Sequence, residues 1–246
     1  MKWILTPDEF SFAWANETSL DRRPYPVNLA PASAVRTESE LDALRLPQRF
    51  ARQADPDLAA ALMLCARPDA TAVTISGERS ALARNGDQPH TEQILGYAAV
   101  IDHHAAVLHA TPSKVMVHMC HAQDLGGRLV QLIGSSRPGA HGPFFEHQEA
   151  VLTDAPLPTQ DGNGDAARFR STLREPVDSR GFITVTVAPE DPMSPPTLHR
   201  SWLDIRDDGR YLLTTADMLA LAPVSDTQFA DKLQSLARIR GSTPGL

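Results

Sequence analysis

Apolar and polar positions recur along this chain with two different periods, and the changes of period mark its elements. Phe10, Ala13 and Trp14 lie at helical spacing, which puts them on one face of a helix that must dock on the body of the protein. Thr6 is placed to cap that helix, Pro7 suits its first position, and Glu9, three residues after Thr6, completes a capping box. Arg23-Pro24-Tyr25-Pro26 ends the segment, because two prolines in three residues forbid a helix and favour extended chain; a short exit strand is expected at residues 27–29. Thr37 and Glu40 form a second capping box, predicting a helix through residue 50. Asp55 and Pro56 open a third helix, with Leu58, Leu62, Met63 and Cys65 on its apolar side, ending near Pro68.

The period then shortens to two. Val73 and Ile75 alternate with Thr and Ser, which reads as a strand. Residues 77–91 are polar and interrupted by Gly86 and Pro89, so they are expected to be an irregular loop. Three strands follow at about 93–101, 105–110 and 114–121, with turns at Asp102-His103-His104 and Thr111-Pro112-Ser113. A helix over residues 122–133 closes the set. The same order then recurs. Residues 165–175 form a helix ended by Pro176, and Phe182-Ile-Thr-Val-Thr-Val187 is the clearest alternating strand in the chain. Strands at 198–205 and 210–215 flank the hairpin signal Asp207-Asp208-Gly209, and 219–224 forms a fourth. Ser225 and Gln228 cap a last helix whose Phe229, Leu233, Leu236 and Ala237 share a face.

Helix, four antiparallel strands and helix are thus read twice, without residue identity between the halves. The fold class expected is α+β: one domain over 1–246, with pseudo-repeat halves of about 1–133 and 165–246 and no long βαβ unit. The connector, 134–164, carries four prolines and five glycines and is expected to include one edge strand at 144–152.

Composition narrows the function. A net charge of -7 argues against nucleic acid, which is bound through clustered Lys and Arg. Cys65 and Cys120 sit in apolar surroundings and read as reduced thiols in a cytosol. Met1 to Leu5 run into Thr6-Pro7 without the apolar core of a signal peptide, and no apolar run is long enough to span a bilayer. A cytoplasmic protein without membrane insertion is expected.

Candidate chemistry is thin. Eight of the nine histidines fall between His90 and His147; His118 and Cys120 share a strand face, with His109 on a neighbouring strand. Zinc needs three or four converging ligands, and no paired close spacing supplies them, so these histidines read as decoration of a half-exposed sheet. Gly162-Asn-Gly164-Asp-Ala-Ala167 has the letters of a dinucleotide loop but follows a proline-rich loop rather than a strand. Asp161, Asn163 and Asp165 imitate the start of a calcium loop, yet Ala166 and Thr172 stand where Gly and Glu are required; Asp165 reads as a helix cap. Asp207-Asp208 serve a turn, Arg22-Arg23 read as a solvated face, and Arg238 and Arg240 favour a helix C-terminus. No nucleophile elbow or phosphate loop is present. No cofactor, no metal and no catalytic residue are expected.

The string Leu5-Thr-Pro-Asp-Glu-Phe10, its helix and the Asp21-Arg-Arg-Pro-Tyr-Pro26 exit resemble the N-terminus of the EspG family, cytosolic chaperones of actinobacterial type VII (ESX) secretion. Asp55 to Leu62, Ala66-Arg-Pro68, Trp202-Leu-Asp-Ile205 and Asp208-Gly-Arg-Tyr-Leu-Leu-Thr214 extend that resemblance along the chain, while residues 103–165 match little of it. The resemblance implies a quasi-twofold fold, with a central antiparallel sheet flanked by two helical bundles. It implies a non-enzymatic function, binding the tip of a PPE protein in a PE–PPE heterodimer and keeping it soluble for secretion. Two other readings stand beside it: a non-catalytic dimeric regulatory module, and a metal-dependent enzyme using the histidine-rich centre. Sheet edges also allow a homodimer.

By that resemblance, the loop after the second strand, the sheet and the C-terminal helices contact cargo. The loop corresponds to Glu78, Arg79, Leu82, Arg84, Asp87 and His90, and a polar excursion anchored by two strands is where recognition residues commonly sit. On the last helix Gln228, Lys232 and Ser235 should face outward. Replacing Arg79, Leu82 and Arg84 together is expected to weaken binding of a PE–PPE pair in a pull-down while leaving the melting temperature nearly unchanged; a large loss of Tm would instead assign the loop to structure.

Overall fold

In the computed structural model, residues 1–30, 37–81, 90–152, 164–187, 193–194 and 196–239 are described. Thr6 caps helix α1 (Pro7–Thr18): its hydroxyl accepts from the Glu9 amide at 3.3 Å and the Glu9 carboxylate accepts from the Thr6 amide at 2.8 Å, as the sequence predicts. Phe10, Ala13 and Trp14 are buried on one face of it. The second capping box also forms, Thr37 with Glu40. The expected single helix to residue 50 is instead two short ones, α2 (Glu38–Ala43) and α3 (Leu46–Arg49). Arg45 between them adopts a left-handed conformation (φ 49°), which breaks the helix ahead of Leu46-Pro47. Helix α4 (Pro56–Ala66) is capped by Asp55.

The strands are β1 (Lys2–Leu5), β2 (Thr71–Ala81), β3 (His90–Ile101), β4 (His104–Thr111), β5 (Lys114–His121), β6 (Phe144–His147), β7 (Val177–Thr186), β8 (Leu198–Ile205), β9 (Gly209–Thr215) and β10 (Met218–Pro223). They form one sheet in the order β1-β5-β4-β3-β2-β7-β8-β9-β10-β6. Every neighbouring pair is antiparallel. The helices that follow the first set are α5 (Leu125–Ile133), α6 (Gln148–Leu152), α7 (Gly164–Arg174) and α8 (Asp226–Leu236). Three expectations need correction, and one strand, β1, comes in addition to those expected. Residues 27–29 form no strand; the chain turns at Tyr25-Pro26 instead. β1 is a strand, because Met1 to Leu5 line up along β5. The stretch 144–152 is a four-residue strand followed by a helix. Asp165 lies inside the first turn of α7 rather than at its cap.

The outward segment read as a loop over 77–91 is also corrected. β2 and β3 pair continuously out to Ala81 and His90. Polar residues were no bar to strand there, because a ladder needs backbone groups and only one face of it packs. Residues 82–89 lie outside the described set.

Strand alternation sorts the sheet into two faces. On one face Val73, Ile75, Ile94, Val107, Ile183, Val185, Trp202 and Leu212 pack under α5 and α8. On the other, Ala106, Leu108, Val115 and Val117 pack under α1 and α4, while Ile205, Tyr211, Leu219 and Leu221 pack under α6 and α7. One helix pair therefore covers the middle of the first face, and two pairs cover the ends of the second. At the centre, Gly77 of β2 pairs with Gly181 of β7 and the indole of Trp202 lies across both. A Cβ on Gly181 would fall 2.1 Å from that ring, so neither position has room for a side chain. The indole N–H donates to Ser179 Oγ at 3.1 Å.

The segment between α5 and β6 is strapped to the β8–β9 hairpin. Arg210 is fully buried. Its guanidinium donates to both Asp204 oxygens at 2.7 and 2.8 Å, to Asp226 Oδ1 at 3.2 Å and to the Gly134 carbonyl at 2.7 Å, and it stacks over Phe229. Asp208 accepts from the Ala140 amide and the Tyr211 hydroxyl, and that hydroxyl accepts from the His141 amide. Removing the cation takes away the ion-pair partner of the largely shielded Asp204 carboxylate, while Asp226 keeps its bonds from Ser135 and Ser136. Arg210→Met is expected to cost about 3 kcal/mol of stability, read by urea unfolding; a loss below about 1 kcal/mol, the ordinary value of a surface pair, would show that the network is dispensable.

A candidate protein-binding groove

With helices at both ends of the second face, its middle is open. Between the α1–α4 layer and the α6–α7 layer runs a groove of about 530 Å³, floored by β3, β2, β7, β8 and β9. Alternation along β7 explains its character: Ile183 and Val185 point to the α5–α8 face, so Phe182 points the other way. It is 69% exposed. Leu203 and Leu213 continue the apolar floor at the margin of the α6–α7 core, and Ser76, Ser201 and Gln93 supply hydroxyl and amide groups. At the end leading to the β2–β3 connection, Arg180 donates to Glu78 Oε1 at 2.8 Å, a pair that water still reaches. Tyr25, 61% exposed, stands at the rim with its hydroxyl 3.5 Å from Ser76 Oγ. The groove offers an exposed aromatic, aliphatic walls and a self-neutralised ion pair, which suits an apolar protein surface better than a charged small molecule.

Of the residues singled out in the sequence, Glu78 alone among the described ones lines this groove. Arg79, the next along β2, points to the opposite face, where it pairs with Glu92 at 2.9 Å and lies beside Gly134 at the end of α5. His90 stands on that side too, 3.9 Å from Glu92. Gln228, Lys232 and Ser235 are exposed on α8, as the helical period predicts, and so also lie across the sheet from the groove. Gln228 is in addition engaged in capping, its Oε1 accepting from the Ser225 amide at 3.0 Å. No apolar residue of α8 is strongly exposed. Leu82, Arg84 and Asp87 lie outside the described residues. The predicted contacts thus divide between two faces rather than forming one patch.

Phe182, Tyr25, Leu203 and Leu213 escaped the sequence reading. The signal for Phe182 was present: within the alternation of 182–187 it is the one aromatic that falls on the threonine side. Tyr25 sits in a segment read only as a helix stop.

The histidines do not converge with other ligand residues among those described. His109, His118 and Cys120 do share the α5–α8 face, on β4 and β5. Burial, then Arg79, Lys114 and Lys2, hold the His109 pKa below its usual value; burial, then Arg128, the Met1 amino group and Lys2, do the same at His118. These positive neighbours disfavour a cation. Among the described residues no three His, Cys, Asp or Glu side chains converge to hold a metal ion. Both cysteines are free thiols, and burial raises each thiol pKa, the reverse of an activated nucleophile. His103 and His121 stack at 5.6 Å across the β4–β5 corner. Arg23, read as solvated, is half-buried and donates to Ser11. Among the described residues no helix is long and apolar enough to cross a membrane.

None of the curated proteins matches this chain significantly. Among solved structures it is similar to that of the Mycobacterium tuberculosis type VII secretion system chaperone EspG5 in complex with a PE25-PPE41 dimer. The likeness covers 100% of this chain and 99% of that one, with 13% identity and a TM-score of 0.62. At that identity it speaks for the fold: a large antiparallel sheet with helices. The model of the EspG family matches residues 6–235, from the capping threonine of α1 to the last turn of α8, and the chain belongs to the EspG family.

Proposed function

We propose that this protein is a cytosolic, non-enzymatic chaperone of a PE–PPE-type secreted heterodimer, holding the apolar tip of the PPE subunit until type VII secretion. Family membership supports the class of function, and the solved relative with a PE25-PPE41 dimer supports the class of partner. The observation that carries the reading on this chain is Phe182, standing open in a groove between two helical layers. Covering a phenylalanine of that exposure contributes roughly 1.5–3 kcal/mol to association. Glu78, with Arg180, borders the same groove at the root of the β2–β3 connection and supports a contact role there, whereas Arg79 and His90 stand on the far face beside Glu92.

The halves 1–133 and 165–246, joined by 134–164, are read as one domain with quasi-twofold symmetry and a helical bundle at either end. Support comes from the strand order, β1-β5-β4-β3-β2 on one side and β6-β10-β9-β8-β7 on the other. The axis would pass near the Gly77–Gly181 pair. Under this reading α8 and its Gln228, Lys232 and Ser235 form a second contact region, on the far face.

Co-expression with candidate PE–PPE pairs tests the function, and failure to co-purify with any of them would sink it. Two variants divide the faces. Phe182→Asp is expected to weaken the complex by at least about tenfold, or 1.4 kcal/mol, with the Tm of the free protein unchanged because the side chain is already solvated. Lys232→Glu combined with Ser235→Glu reports on α8 in the same titration. Loss of binding only in the α8 variant would move the site to the other face.

A further inference from the structure

Beyond the helix pair on the first face, the outermost strands form an open terrace. The register Lys2↔His118 and Ile4↔Met116, continued as His118↔Val107 and Met116↔His109, places Lys2, Ile4, Met116, His118 and His109 on the α5–α8 face. α5 packs over β3 and β4, and Ile4 remains 59% exposed. Cations collect here although the chain as a whole carries -7. Lys2 and Lys114 both act on His109, and Arg128 and Lys2 act on His118. None of Lys2, Lys114 and Arg128 forms an ion pair among the described residues. Of the acids nearby, Glu92 is taken up by Arg79, and Asp124 lies toward Cys120.

The backbone of this terrace is also open. Met1 and Met119 exchange both of their hydrogen bonds, amino group to carbonyl at 3.0 Å and amide to carbonyl at 3.1 Å. In an antiparallel ladder such doubly bonded pairs alternate with pairs whose N–H and C=O groups point outward. Trp3 and Leu5 therefore face β5, and the N–H and C=O of Lys2 and Ile4 face away from it, at an edge of the ten-stranded sheet that no other described strand pairs with. The residues with unpaired backbone groups are the same ones whose side chains stand on the cationic face.

We propose that the β1 edge takes up an extended protein segment of alternating acidic and apolar residues. The segment adds as an eleventh strand beside Lys2 and Ile4, its backbone completing the ladder. Strand alternation puts its acidic side chains on the terrace side, toward Lys2, Lys114 and Arg128, and its apolar ones on the opposite side, beside Trp3. Charge complementarity selects the partner: an acidic strand is attracted by these cations, an uncharged one gains nothing from them, and a basic one is repelled. The terrace and the Phe182 groove lie on opposite faces, so both can be filled at once, and this site does not rest on the cargo reading.

The test uses the whole protein and a fluorescent peptide of alternating valine and glutamate, read by anisotropy. Controls are a valine–lysine peptide, a glutamate homopolymer of equal length and a short DNA duplex. Expected is saturable binding of the valine–glutamate peptide alone, weakening as salt rises. Ile4→Pro, which deletes one outward N–H and leaves the β1–β5 bonds intact, should lower affinity at least about tenfold, whereas Ile4→Val should not. Lys2→Gln with Lys114→Gln should lower it similarly, and this pair decides the matter if Ile4→Pro lowers the Tm. No binding, equal binding of the homopolymer or the duplex, or affinity unchanged in the lysine variant would each overturn the proposal.

Discussion

Residues 72–79 of β2 pair in unbroken antiparallel register with residues 179–186 of β7, and that ladder joins two five-stranded sheets into one. A sheet this wide has two long faces to cover, and the three principal helix pairs cover only part of them. α5 and α8 take the middle of one face, while α1–α4 and α6–α7 take the ends of the other. What the described residues leave bare is fixed by subtraction: the middle of the second face, where Phe182 stands, and the outer strands of the first, where Lys2 and Ile4 stand. Both binding surfaces argued above are consequences of that partial coverage.

The join itself is tightly built. Gly77 and Gly181 meet without side chains so that the Trp202 ring can lie flat on the ladder, and the indole fills the space under α5 and α8. A buried aromatic on one side of a two-layer wall allows an exposed one, Phe182, directly on the other. The second half is then braced by Arg210, which draws Asp204, Asp226 and the Gly134 carbonyl to one point and so fixes the end of α5, the start of α8 and the hairpin together. A cation without solvent is tolerable there because all of its neighbours are acceptors or an aromatic face.

Much of this was legible in the chain. Capping boxes at Thr6, Thr37 and Ser225 gave helix starts, since each rests on hydrogen bonds within four residues. The alternation in 182–187 gave a strand and, followed to its end, the exposed Phe182. The Asp208-Gly209-Arg210-Tyr211 string marked a turn and a family resemblance, but its bracing of residues 134–141 could not be read, because those partners are some seventy residues away. The loop expected over 77–91 failed at its two ends, 77–81 and 90–91, for a related reason: polar side chains say nothing against a strand whose neighbour supplies the backbone bonds. Contact residues were predicted one by one from a loop and a helix, yet Glu78 and Arg79 fall on opposite faces because a strand alternates.

By itself, then, the sequence determined the local periods, the helix caps at Thr6, Thr37, Asp55 and Ser225 and a resemblance strong enough to name the family. These depend on neighbours in the chain. Only the tertiary structure decided which strands pair across the centre, that Met1 to Leu5 form an edge strand, and which faces stay uncovered. Strand order and helix coverage are settled by long-range backbone bonding and by which apolar faces meet, and neither leaves a mark at any single position.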